Sequence, residues 1–274
     1  MNLYHYTDQN GFMGIFDRRA LWATKIQYLN DSNEYYLAIK VARDIINERI
    51  KKEEDPDVQF TYSEFLVKTQ LITNVNYCVC SLTEHGDLLS QWRGYSTKMG
   101  GYSIGFDLEE IQKIANKEGF ELVKCIYDKS LQKEKVELII NNAISFVGVD
   151  VRYGINRKSI EYFQSEIMKL APTFKDESFS EEAEWRLITI AKIDSLNFRA
   201  GNSMIIPFKT LSLGSKHELR RLLKEVIVGH TPHIDLAIQA TQLFLVNKLL
   251  SPEDYPLSIA PFNVLKSKIP YRNW

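Results

Sequence analysis

The sequence predicts a single α+β domain, a mixed or mostly antiparallel sheet with helices appended to it. Three observations carry that expectation. Helical and strand periodicities alternate irregularly along the 274 residues, not as repeated strand–helix–strand units. No Gly-rich strand-to-helix turn of the dinucleotide type occurs, which argues against a Rossmann domain. No linker-like stretch divides the chain, and 45% hydrophobic against 25% charged residues supplies one sizeable core, so residues 1–274 are read as one domain.

The elements follow in order. Leu3 to Thr7 reads as a strand, and Asp8 can cap a helix carrying Phe12, Ile15 and Phe16 that stops at Arg18-Arg19. Leu21 to Thr24 is a second strand. Ile39, Ala42, Ile46 and Ile50 recur at three-and-four spacing, the mark of a long amphipathic helix, before a charged loop from Lys51 to Pro56. A helix over Phe60 to Leu71 and a strand over Tyr77 to Leu82 lead into the motif-rich stretch from Ser81 to Asp107. In that stretch Asp87 can cap a short helix through Tyr95, and Tyr102 to Phe106 is a strand. Helices are expected over 108–117, 130–147, 157–170 and 234–249, and strands over 122–127, 185–191, 204–208 and 226–228.

Charge and cysteine usage narrow the function classes. Lys plus Arg number 34 against 35 Asp plus Glu, so no net positive field draws the chain to nucleic acid or an anionic membrane. Lys216, Arg220, Arg221 and Lys224 form a basic stripe without interleaved aromatics, read as a solvated face. Three cysteines are too few and odd in number for a disulfide framework; Cys78 and Cys80 share one face of a strand and read as buried thiols. With no secretory signal and no stretch long enough to span a bilayer, a cytoplasmic location is expected. No serine-hydrolase elbow, zinc-protease helix or phosphate loop is present.

The motifs in order are Leu3-Tyr4-His5-Tyr6-Thr7, Leu21-Trp22-Ala23-Thr24, Leu29-Asn30-Asp31-Ser32-Asn33-Glu34, Gln91-Trp92-Arg93-Gly94-Tyr95 with Gly101 to Phe106, and Glu182-Ala183-Glu184-Trp185-Arg186. Arg199 before Met204 to Pro207, Val226 to Gly229, and Ile269-Pro270-Tyr271-Arg272 complete the set. Together they resemble a largely uncharacterised bacterial family, domain-of-unknown-function family 2971, over essentially the whole chain. A strand-borne His-Tyr-Thr, an aromatic pair midway and a late Glu-x-Glu also resemble ADP-ribosyltransferases that use a nicotinamide dinucleotide. That likeness implies an early His near the nicotinamide side, an aromatic stacked on the nicotinamide ring, and a late Glu beside the ribose. A role in bacterial conflict, such as phage defence, follows from it by analogy.

Each residue also has a plainer reading. His5 could bond a ribose hydroxyl or carboxamide, or be a satisfied core histidine. Tyr95 and Gln91 share a helix face that could grip a planar ring, whereas Trp92 reads first as packing. Asp31 and Glu34 read as a capping box. Glu182 and Glu184 could point to one face with Arg186 beside them, or form surface ion pairs of small value. Arg93, Arg186, Arg199 and Arg272 suit phosphate, although separated arginines usually pair elsewhere. Ser81 and Thr83 could order a pocket floor.

The expected function is therefore cleavage of the nicotinamide–ribose bond of NAD, as substrate, by an ADP-ribosyltransferase or NAD glycohydrolase needing no metal. Glu184, His5 and Tyr95 are the expected catalytic set, and Tyr6, Thr7, Ser81, Gln91, Trp92, Arg93, Glu182 and Arg186 the expected nucleotide contacts. A protein or nucleic-acid acceptor fits this scheme. The alternatives are a non-catalytic nucleotide-binding module that signals to a partner, and a metal-dependent nuclease built on Glu182, Glu184 and Asp31.

Overall fold

A computed structural model describes residues 1–29, 34–71, 75–96, 100–149, 151–152, 155–201, 203–254 and 261–270. In chain order the elements are β1 (Asn2–Thr7), α1 (Gln9–Arg18), β2 (Ala20–Lys25), α2 (Glu34–Ile50), α3 (Pro56–Leu71), β3 (Tyr77–Thr83), α4 (Leu89–Tyr95), β4 (Tyr102–Asp107), α5 (Leu108–Lys117), β5 (Glu121–Lys124) and α6 (Lys129–Ile144). They continue with β6 (Val151–Arg152), β7 (Ile155–Asn156), α7 (Arg157–Leu170), β8 (Glu184–Ile190), β9 (Asn197–Ala200), β10 (Ile205–Ser212), α8 (Lys216–Leu222), β11 (Leu223–Val228), α9 (Ile234–Leu249) and β12 (Val264–Lys266). The α+β expectation holds: ten strands form an open, mostly antiparallel sheet, and β11 with β12 is its parallel pair.

Local chemistry explains most boundaries. The Asp8 carboxylate accepts from the Gly11 amide at 2.7 Å and starts α1, and Arg19 in the left-handed region (φ 49°) ends it. Gly11 is required there, because a Cβ would fall 1.9 Å from Thr7 Oγ1; α1 thus turns tightly back on β1. Asp107 and Asp128 cap α5 and α6, and Ser215 with Glu218 closes a capping box on α8. The loop after α2 is shorter than expected, since Pro56 already opens α3 at a first-turn position that needs no amide donor. Asp87 does not cap α4, whose preceding residue is Leu88. Its carboxylate instead accepts from Trp92 Nε1 at 2.7 Å, Ser267 Oγ at 2.6 Å and the Lys268 amide at 2.7 Å, tying α4 to the segment after β12. The expected cap at Asp31 and Glu34 lies outside the described residues, apart from the backbone of Glu34.

One feature of the sheet positions the candidate site. β8 pairs with β3 along its whole length, from Tyr77↔Ile190 to Thr83↔Glu184. The opposite edge of β3 is shared by two strands: β2 at Thr24↔Val79 and Lys25↔Cys78, and β1 at Tyr4↔Thr83. β1 and β2 therefore part company at Ser81, with α1 bridging between them.

The two faces are covered differently. On one, Leu3, Phe12, Phe16, Leu82, Phe106 and Leu245 belong to a continuous core under α1, α5, α8 and α9. The other carries two separate clusters. Tyr35, Ile46, Phe65 and Phe163 of α2, α3 and α7 pack with Ile140 of α6 over Val79 and Ile188, whereas Tyr6, Trp92 and Ile227 form a small cluster under α4. The boundary between those clusters runs along the line where β1 and β2 separate.

Replacing Asp87 by Ala leaves the fully buried Trp92 indole N–H without its acceptor and frees the segment after β12. The expected loss is about 2–3 kcal/mol, the scale of a charged hydrogen-bond acceptor removed from a buried donor, read as a lower urea midpoint at unchanged slope.

Candidate functional site

At the parting of β1 and β2, the Ser81 carbonyl has no strand partner on its own edge. It accepts a hydrogen bond from His5 Nδ1 at 3.0 Å. A carbonyl can only accept, so this contact fixes the proton on Nδ1 and leaves Nε2 as the lone-pair nitrogen. Burial of the ring between strands lowers the His5 pKa, partly opposed by the Ser81 hydrogen bond, so the imidazole is neutral near pH 7. His5 stays partly exposed, and Nε2 makes no hydrogen bond among the described residues. The Cys80 sulfur lies 3.9 Å from Nδ1. Its thiol is pushed up to about 12 by burial, with the Glu184 charge adding to the shift and that of Arg199 opposing it.

Across β3 from this gap, Ser81 faces Arg186 and Thr83 faces Glu184. Because the Ser81 carbonyl points to His5, Ser81 and Arg186 form a non-hydrogen-bonded pair, the kind whose side chains stand closest. Glu184 and Arg186 are only 4% and 2% exposed, so the surface-pair reading of these residues gives way to a buried one. Arg186 Nε donates to Glu184 Oε1 at 2.9 Å and Nη2 to Oε2 at 3.1 Å, while Nη1 donates to the Pro172 carbonyl at 2.8 Å. Lys175, buried as well, bonds Glu184 Oε2 at 2.5 Å and also Glu182. Glu182 and Glu184 thus do meet a common partner, though not through strand alternation. Glu182 ends a short 3-10 turn, Ala183 takes a left-handed conformation (φ 42°), and only Glu184 belongs to β8.

Electrostatics in this cluster favour the ionised carboxylate. Burial by itself would raise the Glu184 carboxyl, but the charges of Arg186 and Lys175, with their hydrogen bonds, overcome it and hold the pKa at about 2. The ammonium of Lys175 occupies the place between the two carboxylates that a divalent cation would need, which speaks against the nuclease reading at this pair; Asp31, its third residue, lies outside the described residues. Lys175 itself was not visible to sequence reasoning, because a lone lysine seven and nine residues before its partners carries no periodic signal.

The remaining expected residues divide. Tyr6 and Trp92 are core: their rings meet edge to face at 4.8 Å, Tyr6 donates to the His85 carbonyl at 2.8 Å and accepts from the Leu88 amide at 2.9 Å. Neither polar group is left for a nucleotide. Arg186 cannot clasp a diphosphate either, since its guanidinium is spent on Glu184 and Pro172. Thr7 backs onto the first turn of α1, and Gln91 is buried on α4. Tyr95 and Arg93 stand exposed on α4, Tyr95 at its last residue and 44% exposed. The structure thus brings Ser81, Glu184 and Arg186 together on one face of β3 and β8, with Glu182 at the approach, whereas His5, level with Ile104 on β1, leaves the sheet on the face of Leu3 and Cys80 and Tyr95 comes from a separate helix. Two surface hollows of about 370 and 260 Å³, between α2 and α3 and beside α7, include none of His5, Tyr95 and Glu184. Arg272 lies outside the described residues.

Residues 91–187, from α4 into β8, match the profile of the family described as "Protein of unknown function (DUF2971)". This supports, over that stretch, the family resemblance read from the motifs. No curated protein and no solved structure matches the chain. No described helix is long and apolar enough to cross a membrane.

The buried quartet links stability to acid. Glu184 has a folded pKa near 2 against an ordinary 4.5, so its stabilisation is present above pH 4.5 and is lost as pH falls through the folded value. Between those limits the wild-type urea midpoint should fall steeply, and in Glu184→Gln more shallowly. At pH 7, Glu184→Ala takes the carboxylate from the buried Arg186 and leaves Lys175 only Glu182, and should cost about 3–5 kcal/mol. A loss under 1 kcal/mol would show that the cluster is hydrated rather than buried.

Proposed function

We propose that the parting of β1 and β2 is a nucleotide site of the ADP-ribosyl type, in which the bond between nicotinamide and ribose of NAD is broken. The supporting observation is the neutral His5 held by Ser81, with an Nε2 that makes no hydrogen bond among the described residues, two strands from an ionised and immobilised Glu184 across β3. Two strands that part from one edge of β3 inside the sheet leave a gap that backbone and side-chain groups of a ligand site can both line.

Chemically, the C1′–N bond breaks with its electron pair leaving on the nicotinamide nitrogen. Positive charge builds on the ribose until water or another nucleophile attacks C1′ and loses its proton. Fixed negative charge near the ribose lowers the energy of that transition state, and a carboxylate already ionised and held in place needs no reorganisation. His5 Nε2 is suited to accept from a ribose hydroxyl, and so to orient the ring. Tyr95 is the aromatic offered for the leaving ring, and Ser81, whose carbonyl holds His5, also carries a hydroxyl at the parting. An acceptor of the transferred group, protein or nucleic acid, fits the same scheme, and three buried cysteines outside any disulfide fit a reducing, cytoplasmic setting.

One observation favours a second reading, nucleotide binding without turnover. Both Glu184 oxygens are engaged by cations, so the field at a bound ribose is that of a neutral cluster rather than of a free carboxylate. Incubation with NAD labelled in the nicotinamide separates the two. The catalytic reading expects release of free nicotinamide, insensitive to chelator, falling at least about 100-fold in His5→Ala and in Glu184→Gln, with melting temperature checked for each. Binding of NAD without release supports the second reading. Neither binding nor release would dispose of both.

A further inference from the structure

With Arg186 committed to Glu184, the positive charge for a phosphate must come from elsewhere along the opening, and the structure offers a pair. β2 runs antiparallel to β3 with Thr24 opposite Val79, so Trp22, two residues back and on the same side as Thr24, comes level with Ser81. Two guanidinium groups flank the Trp22 ring: Arg18, the last residue of α1, with Cζ 5.3 Å from the ring centroid, and Arg199 of β9, with Cζ at 5.5 Å. Arg199 also lies 5.9 Å from the Phe208 ring, which packs on Trp22 at 4.6 Å, and its Nη2 donates to Thr24 Oγ1 at 2.9 Å.

Neither arginine has a carboxylate partner among the described residues. That sets them apart from Arg157, Arg186 and Arg221, which bond Glu161, Glu184 and Glu110. Burial lowers the Arg199 pKa, the direction expected of a guanidinium held partly out of water without a counter-ion. Two cations sharing one indole repel each other, and the arrangement is relieved by an anion between or above them. The ring faces and the Thr24 hydroxyl hold Arg199 in one orientation, so its remaining N–H groups are available at little further cost in side-chain freedom.

We propose that Arg18 and Arg199, set against Trp22, form a clamp for the diphosphate of a small nucleotide. The clamp deepens the reading of the opening as a nucleotide site, since it names the phosphate-binding part, yet it does not require that any bond be cleaved. It also gives the Leu21-Trp22-Ala23-Thr24 stretch a task beyond being a strand.

Calorimetric titration of the full chain at low salt with ADP-ribose, and with inorganic pyrophosphate as competitor, tests this. The expectation is that ADP-ribose binds, pyrophosphate displaces it, and added salt weakens it. Arg18→Ala and Arg199→Ala should each reduce affinity at least tenfold, Arg199→Lys by less, and Arg221→Ala, whose partner is Glu110, not at all. Arg18 is exposed, so its loss leaves the core intact; a melting curve accompanies Arg199→Ala, which also loses ring packing. The clamp is overturned if neither phosphate compound binds the wild type, if both alanine variants bind as the wild type does, or if nicotinamide riboside binds as tightly as ADP-ribose. Tighter binding of a single-stranded oligonucleotide through the same arginines would overturn the small-nucleotide assignment. If ADP-ribose binds through the clamp but NAD is not consumed, the cleavage reading falls and the clamp stands. If NAD is consumed with unchanged KM in both variants, the clamp falls and the cleavage reading stands.

Discussion

A strand has two edges, and β3 is asked to serve three partners. β8 takes one edge entirely, so β1 and β2 must divide the other, and neither can satisfy the carbonyl at the point of division. An orphaned backbone acceptor inside a sheet costs about 1–3 kcal/mol unless something donates to it. The His5 imidazole does so, and that one contact sets its tautomer and leaves its other nitrogen without a hydrogen bond among the described residues. The chemistry available at the site is in this sense a by-product of sheet topology. A Phe or Leu at position 5 could fill the same space but would leave the Ser81 oxygen without a partner.

The other side of β3 carries the opposite solution to a burial problem. Glu184, Arg186 and Lys175 are charges taken out of water, an arrangement that hydrophobic residues of similar volume would often match in stability. What the charges add is geometry. The Arg186 fork reads the plane of the Glu184 carboxylate with two bonds and the Pro172 carbonyl with a third, and Lys175 draws in Glu182 from the turn before β8. The irregular stretch between α7 and β8, which has almost no regular ladder of its own, is thereby registered against the sheet.

Much of the fold was legible because local signals agreed with one another. Asp8, Arg19 and the Phe12, Ile15, Phe16 stripe define α1, and the expected 108–117 helix matches α5 residue for residue because its Asp107 cap and apolar spacing coincide. Short edge strands such as β9 and β12 carried no such agreement, and Lys224, read as part of a helical basic stripe, belongs to β11 and pairs with Asp107. At the site, His5, Ser81 and the Glu182–Arg186 segment were visible as residue types in odd company. Their relations were not, since they depend on which strands share an edge. The same holds for Arg18 and Arg199, 181 positions apart in sequence and brought to one ring only by the β2–β10–β9 ladder.

Charge makes the final connection. A chain with 34 basic and 35 acidic side chains has no long-range field to speak of, so any attraction for a phosphate must arise from local imbalance. The cluster on β8 is balanced, with two carboxylates against an ammonium and a guanidinium, and its field decays quickly with distance. The two arginines at Trp22 are the uncompensated part of the same opening. A ligand with an anionic middle and a neutral or cationic end would satisfy both at once, with its phosphates against the arginines and its other end toward the ionised Glu184, on the same face of the sheet. Nicotinamide dinucleotide has that order of groups, whereas a simple polyanion would bring negative charge toward the carboxylates.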